Sequence, residues 1–257
     1  MLKKYFLGIV FCCLLISNTR AETLTVAAAA DLSYCLPELA KTFQALNPGS
    51  EIKTVFGASG SLFAQIKNGA PYDVFMSADM QYPGELANAG AADKSSLMSY
   101  ATGHLVLWTA NPNINLDNGL AGLKQQGIRH IAIANPDAAP YGRAARAAFQ
   151  QAGVWEDVKP RLVFGDNIAQ AMQFAETGNA DVAVLSRALV LTPKMAGKGH
   201  AQPIPETLYP AINQGLIITN RGMGNTLSVK FVKFIQTEKA QEMLRQFGFS
   251  TPKPTKD

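Results

Sequence analysis

Between residues 23 and 219 the chain alternates short apolar runs with stretches whose apolar residues recur at helical spacing. This alternation limits the fold more than any other feature. Strand–helix units repeated along a chain predict an α/β fold with mostly parallel sheets flanked by helices. The expected strands are 23–30, 51–56, 72–79, 100–110 (with His104 to Trp108 at the centre), 128–133, 158–164, 181–186 and 214–219. Leu32, Leu36, Leu39, Ala40, Phe43 and Leu46 share one face of a helix. Pro37 lacks an N–H, so the regular ladder of that helix is expected to settle only near Leu36. Further helices are expected at 62–66, 85–89, 120–126 and 187–191. Others are marked by Ala145, Ala148 and Phe149, by Ile168, Met172, Phe174 and Ala175, by Leu227, Phe231, Phe234 and Ile235, and by Ala240, Met243, Leu244 and Phe247. Residues 202–210 read as irregular and 251–257 as a loose tail.

In sheets of this kind ligands bind beyond the carboxyl ends of the strands, so the strand-to-helix turns are where function is expected. One turn stands out. The alternating run Glu51-Ile52-Lys53-Thr54-Val55-Phe56 passes through Gly57-Ala58-Ser59-Gly60-Ser61 into Leu62-Phe63-Ala64-Gln65-Ile66. Unpaired backbone N–H groups gather at such a helix start, at the positive end of its dipole, with hydroxyls beside them. The arrangement suits a small anion held by neutral donors. The ordinary alternative is a capped turn with Ser59 or Ser61 as N-cap. The same arrangement recurs at Ala30-Asp31-Leu32, at Ala139-Pro140-Tyr141-Gly142 and at Asp166-Asn167-Ile168, none of which contains a lysine. Arg143 is the nearest arginine, just inside its helix. Two turns precede the break at Asn111-Pro112-Asn113 and two follow it, which predicts two facing lobes around a ligand cleft.

Charge and cysteine content narrow the class. Met1-Leu2-Lys3-Lys4, an apolar run from Tyr5 to Ile16, and small residues up to Ala21 form the pattern of a secretory signal peptide, 1–21, cut after Ala21. Its loss takes Lys3, Lys4 and Arg20, so the formal charge of +4 falls to 20 basic against 19 acidic residues. A near-neutral chain is not one built for nucleic acid or an anionic membrane. Cys12 and Cys13 leave with the signal, and Cys35 alone remains. A small buried apolar role is expected for it.

The residues Val26-Ala27-Ala28-Ala29-Ala30-Asp31-Leu32, Gly57-Ala58-Ser59-Gly60-Ser61-Leu62, Gly69-Ala70-Pro71-Tyr72-Asp73-Val74-Phe75-Met76-Ser77-Ala78-Asp79, Ala134-Asn135-Pro136 with Pro140-Tyr141-Gly142, and Gly178-Asn179-Ala180-Asp181-Val182 occur in that order. Together they resemble the periplasmic molybdate-binding proteins, the substrate-capturing components of ABC importers, over essentially the whole chain after residue 21. The resemblance implies a two-lobed periplasmic binding protein of type II-like fold, with lobe 1 at 22–104 and 212–257 and lobe 2 at 105–211. It implies a monomer in the periplasm that binds molybdate, and tungstate as well, and delivers it to a membrane permease, with no cofactor and no further metal. Residue by residue, the implied ligand positions are Asp31, Ser59, the N–H of Tyr141, the N–H of Ile168, and Ser186. Two of them depart from the family pattern. Asp31 stands where a hydroxyl is expected and would set a carboxylate against a dianion, so its side chain is expected to cap the helix, leaving only its N–H for the ligand. Ser186 stands where some members have a tyrosine and is too short to replace it; the hydroxyl of Tyr141 is a candidate substitute.

Rival readings are weaker. Ser59 lies in no nucleophile elbow, and His104, His130 and His200 lie in no triad context, so an enzyme is not expected. Asp31, Asp73, Asp79, Asp137 and Asp166 could hold a hard cation, which keeps a metal-cation or other-anion binding protein as an alternative. A ligand-sensing module that signals to a membrane partner is another alternative.

Overall fold

A computed structural model of the protein describes residues 22–252. The signal-peptide reading of 1–21 and the end of the expected loose tail lie outside the described residues. In chain order the elements are β1 (Glu22–Ala29), α1 (Cys35–Leu46), β2 (Ser50–Gly57), α2 (Ser59–Lys67), β3 (Val74–Ser77), α3 (Gln81–Asn88), β4 (Met98–Gly103) and β5 (Leu105–Thr109). There follow β6 (Ile131–Ala134), α4 (Pro140–Gln151), α5 (Trp155–Val158), β7 (Leu162–Gly165), α6 (Ile168–Glu176), β8 (Val182–Ser186) and α7 (Arg187–Val190). The chain ends with β9 (His200–Pro203), β10 (Ile212–Ile218), α8 (Thr226–Ile235) and α9 (Glu238–Gln246).

These strands form two five-stranded sheets, ordered β2-β1-β3-β10-β4 and β7-β6-β8-β5-β9. Each has the same parallel heart: the first strand of a βαβαβ unit lies between the other two, as β1 does between β2 and β3 and β6 between β7 and β8. The expectation of mostly parallel sheets describes only that heart. In each sheet the other two pairings are antiparallel, β10 with β3 and β4, and β5 with β8 and β9. The added strands flank the two passages of the chain between sheets, at His104 and at 204–211, and no crossover helix intervenes there to turn them parallel.

The period-2 alternation of strands sorts the first core onto two faces. Leu24, Val26 and Ala28 of β1, Val74 and Met76 of β3, and Leu216 and Ile218 of β10 pack with α1, α8 and α9. Ala27, Phe75 and Ile217, between them in sequence, pack with α2 and α3 on the other side. Both faces are covered, which is why these strands read as unbroken apolar runs. The second sheet has one large core containing Trp108, Ile133, Phe149 and Leu185. Ala29, Ala30, Ala58 and Ala78, at the strand ends of the first sheet, pack into that same core. The two halves therefore meet through alanines, whose small side chains allow backbone to approach backbone.

Several local expectations shift. The expected strand 158–164 divides into the end of α5, a 3-10 turn and β7, and 120–126 is a 3-10 stretch at Gly119–Lys124. The irregular 202–210 contains the end of β9, an edge strand that pairs with β5 alone. No apolar alternation marks it, because His200, Ala201 and Pro203 stay exposed. Among the described residues no helix is long and apolar enough to cross a membrane.

Candidate functional site

The four turns meet. Ala29 to Asp31, Gly57 to Ser59 and Ala78 from the first half, and Ala139 to Tyr141 with Asn167 and Ile168 from the second, line one cavity between the halves. Its volume is ≈ 10 Å³, by a measure in which a single water needs about 10–15 Å³. That is room for about one water at most, so a ligand of several atoms enters only if the walls draw apart. No lysine, arginine or histidine lines it.

Three helices open onto this space. Ser59 is the first residue of α2, Tyr141 the second of α4 after Pro140, and Ile168 the first of α6. At these positions a helix leaves its N–H groups without intrahelical acceptors. Pro140 favours the first helical position because it has no N–H to leave unpaired. Asn167 caps α6 by accepting from the N–H groups of Ala169 and Gln170, and thereby passes over the N–H of Ile168. Gly142 allows α4 to start this close to β6, since a Cβ there would lie 2.2 Å from the Ala134 carbonyl oxygen.

Ser59 does not cap α2; the N-cap is Ala58, without a side-chain bond. The Ser59 hydroxyl oxygen accepts from the N–H of Ala78 at 2.9 Å, which directs its own hydrogen elsewhere. Ser61, the other candidate cap, is exposed.

Asp31 corrects the expectation of capping. It lies in a 3-10 turn, Ala30–Leu32, and α1 begins only at Cys35 with Tyr34 as N-cap and no side-chain cap bond. Pro37 falls in the first turn of α1, where its missing N–H does no harm. Too far from α1 to cap it, the Asp31 carboxyl turns inward: its Oδ2 accepts from Nε2 of Gln214 at 2.5 Å. Asp31 is only 1% exposed, and its Oδ1 has no hydrogen-bond partner among the described residues. Burial pushes this carboxyl up to about 6, against the opposing pull of Gln214, Tyr141 and the N–H groups of Asp31 and Leu32.

Ser186 ends β8 and does not line the cavity. Its hydroxyl accepts from the N–H of Ala188, capping α7, and donates to the Tyr141 hydroxyl at 3.2 Å. The Tyr141 hydroxyl also accepts from Nε2 of Gln214 at 3.0 Å. It is thus committed to the wall behind the cavity, and only the N–H of Tyr141 is left for a ligand.

Sequence reasoning missed the centre of that wall. Gln214 of β10 is fully buried and joins three side chains: it donates to Asp31 and Tyr141, and its Oε1 accepts from the Tyr100 hydroxyl at 2.5 Å. The pair of amides Asn213-Gln214 within the otherwise apolar strand Ile212–Ile218 was the available signal. The contacts across the cleft were also missed. Arg143 of α4 pairs with Asp79 and donates to the Tyr82 hydroxyl at 3.2 Å, and the Gly60 N–H donates to the Ala138 carbonyl at 2.9 Å.

The aspartates of the cation alternative are dispersed. Asp73 accepts from the Thr25 N–H and pairs with Arg221, Asp79 is held by Arg143, and Asp137 and Asp166 are exposed. No group of three or more His, Cys, Asp or Glu among the described residues is placed to hold a metal ion.

A model of the bacterial extracellular solute-binding protein family matches residues 24–250. The molybdate-binding protein ModA of Azotobacter vinelandii is 36% identical over 236 residues, covering 92% of this chain and 93% of that protein. ModA of Rhodobacter capsulatus is 36% identical over 233 residues, covering 90% and 89%. The solved Azotobacter vinelandii periplasmic molybdate-binding protein superposes with a TM-score of 0.83 at 32% identity, over 90% of this chain and 100% of that one.

Proposed function

The chain belongs to the bacterial extracellular solute-binding proteins and, among them, groups with the ModA molybdate-binding proteins; from that membership we propose that it captures molybdate in the periplasm, as a monomer, for the permease of an ABC importer. The observation that carries this reading is the convergence of helix starts from both halves on one small cavity without a cationic side chain. A dianion there is neutralised by dipoles and directed N–H and O–H groups. The proposed donors are the hydroxyl and N–H of Ser59 and the N–H groups of Tyr141 and Ile168; Ser186 acts from behind by fixing Tyr141. Hydrogen bonds to a charged group contribute about 1.5–3 kcal/mol each. Several of them, less the cost of closing the halves, reach the roughly 8 kcal/mol of micromolar binding.

Tungstate has the same shape and charge and is proposed as a second ligand. Sulfate is a smaller tetrahedron, and a cage that closes to fit molybdate would leave its donors at stretched distances from it. Thermal unfolding of the protein with each anion tests this: molybdate and tungstate raise the melting temperature, and sulfate and phosphate raise it far less. Equal shifts with sulfate would remove the size selectivity. A shift only with a metal cation, abolished by a chelator, would overturn the reading.

A further inference from the structure

We propose that capture of the oxyanion takes up one proton, held at Asp31 between Oδ1 and an oxygen of the anion. The proposal rests on the molybdate reading above and states how the same cavity tolerates a carboxyl group.

Asp31 lines the cavity and is 1% exposed. Its two oxygens differ. Oδ2 is occupied as an acceptor by Nε2 of Gln214, whose Oε1 is in turn engaged by the Tyr100 hydroxyl. Oδ1 has no partner among the described residues. A buried carboxyl oxygen without a donor is unfavourable as an anion, and a proton placed on it becomes a donor awaiting an acceptor. An anion oxygen in the cavity is such an acceptor.

The ionised form is supported only by neutral donors, Gln214, Tyr141 and two backbone N–H groups, and burial outweighs them. From its own turn Asp31 faces the N–H groups of Asp31 and Leu32; from α4 it faces Tyr141, from β4 Tyr100, from β10 Gln214, and from α1 Cys35. Burial and the Asp31 charge raise Tyr100, Tyr141 and Cys35 above their usual ranges, so all three stay neutral. No cationic group acts on the carboxyl. A dianion brought against an ionised Asp31 would therefore concentrate three negative charges in a closed, nearly dry space. One proton from solvent removes one of those charges and turns the remaining contact from repulsive to hydrogen-bonded. Burial has already brought the free carboxyl up to about 6, and an adjacent dianion acts in the same direction.

The sign follows from linkage. Where the free carboxyl is ionised, the complex holds one more proton than the free protein, so affinity falls as pH rises, by up to about tenfold per pH unit. Where the free carboxyl is already protonated, affinity is flat.

Calorimetric titration of the wild-type protein with molybdate, from about pH 6.5 to about pH 8.5 in Tris and in HEPES, counts the protons directly. The expected result is uptake approaching one proton per anion at the upper end, with Kd rising across the range. Asp31→Asn, which can offer an N–H at the Oδ1 position and an oxygen to Gln214, abolishes the uptake and flattens the profile. Zero uptake by the wild type together with tight binding overturns the proposal and leaves the molybdate reading intact. Uptake that persists in Asp31→Asn places the proton on another group and overturns it too. Absence of molybdate binding at every pH overturns the molybdate reading itself. The wild-type proton count decides even if the variant fails to fold.

Discussion

At the scale of single residues, the cavity depends on side chains that do two things at once. The Ser59 oxygen accepts from the Ala78 N–H while its hydrogen remains available to a ligand. Ser59→Ala is expected to weaken molybdate binding by about 1.5–3 kcal/mol, the range for one hydrogen bond to a charged partner. It also strands the Ala78 N–H, so stability falls separately. Calorimetry measures the first effect and chemical denaturation the second; an unchanged Kd would remove the hydroxyl from the site. Ser59 was legible in the sequence because a bare Gly-Ala-Ser-Gly-Ser turn between a strand and a helix has few uses. The role of Asp31 was not. An aspartate ahead of a helix is normally a cap, and only Gln214, 183 residues away, turns it inward. The amide of Gln214 was in view, but not its role, because its partners come from three distant segments.

At the scale of elements, the site is a set of helix starts, and caps decide where each N–H points. Asn167 holds two amides of the first turn of α6 at 3.0 and 3.1 Å, which leaves Ile168 free to face the cavity. Asn167→Ala is expected to destabilise the protein by about 1 kcal/mol, as loss of an N-cap does. Frayed first-turn amides should also weaken molybdate binding several-fold. Denaturant titration and calorimetry on the same variant separate the two effects, and lost stability at unchanged affinity would mean that the cap does not aim the Ile168 N–H. Most elements were legible from periodicity, since buried strands and amphipathic helices carry their pattern in the chain. The edge strand β9 carried none, because only its pairing with β5 makes it a strand.

At the scale of the molecule, closure brings the corners together. Gly60 donates to Ala138 across the cleft, Arg143 reaches Asp79 and Tyr82, and Lys194 donates to the Tyr34 hydroxyl at 3.0 Å. A Cβ on Gly60 would lie 2.8 Å from the Ala138 carbonyl oxygen and 2.6 Å from the Tyr82 hydroxyl. Backbone on the opposing half cannot yield as a side chain does, so Gly60→Ala is expected to hold the halves apart. The expected loss is about 1–3 kcal/mol of binding, the usual range for overpacking, with little change in the unliganded protein's melting temperature. Small-angle scattering with saturating molybdate would show a less compact complex than the wild type's. Wild-type affinity in this variant would mean that capture does not require so close an approach.

The amino-acid order alone determined the α/β class, the four strand-to-helix turns and the absence of lysine from them, because each is a local consequence of spacing and residue type. Tertiary structure decided which turns share one cavity, which side chains stand behind its wall, and that each sheet is only half parallel. Those outcomes depend on pairings between segments far apart in the chain, and no local pattern encodes them.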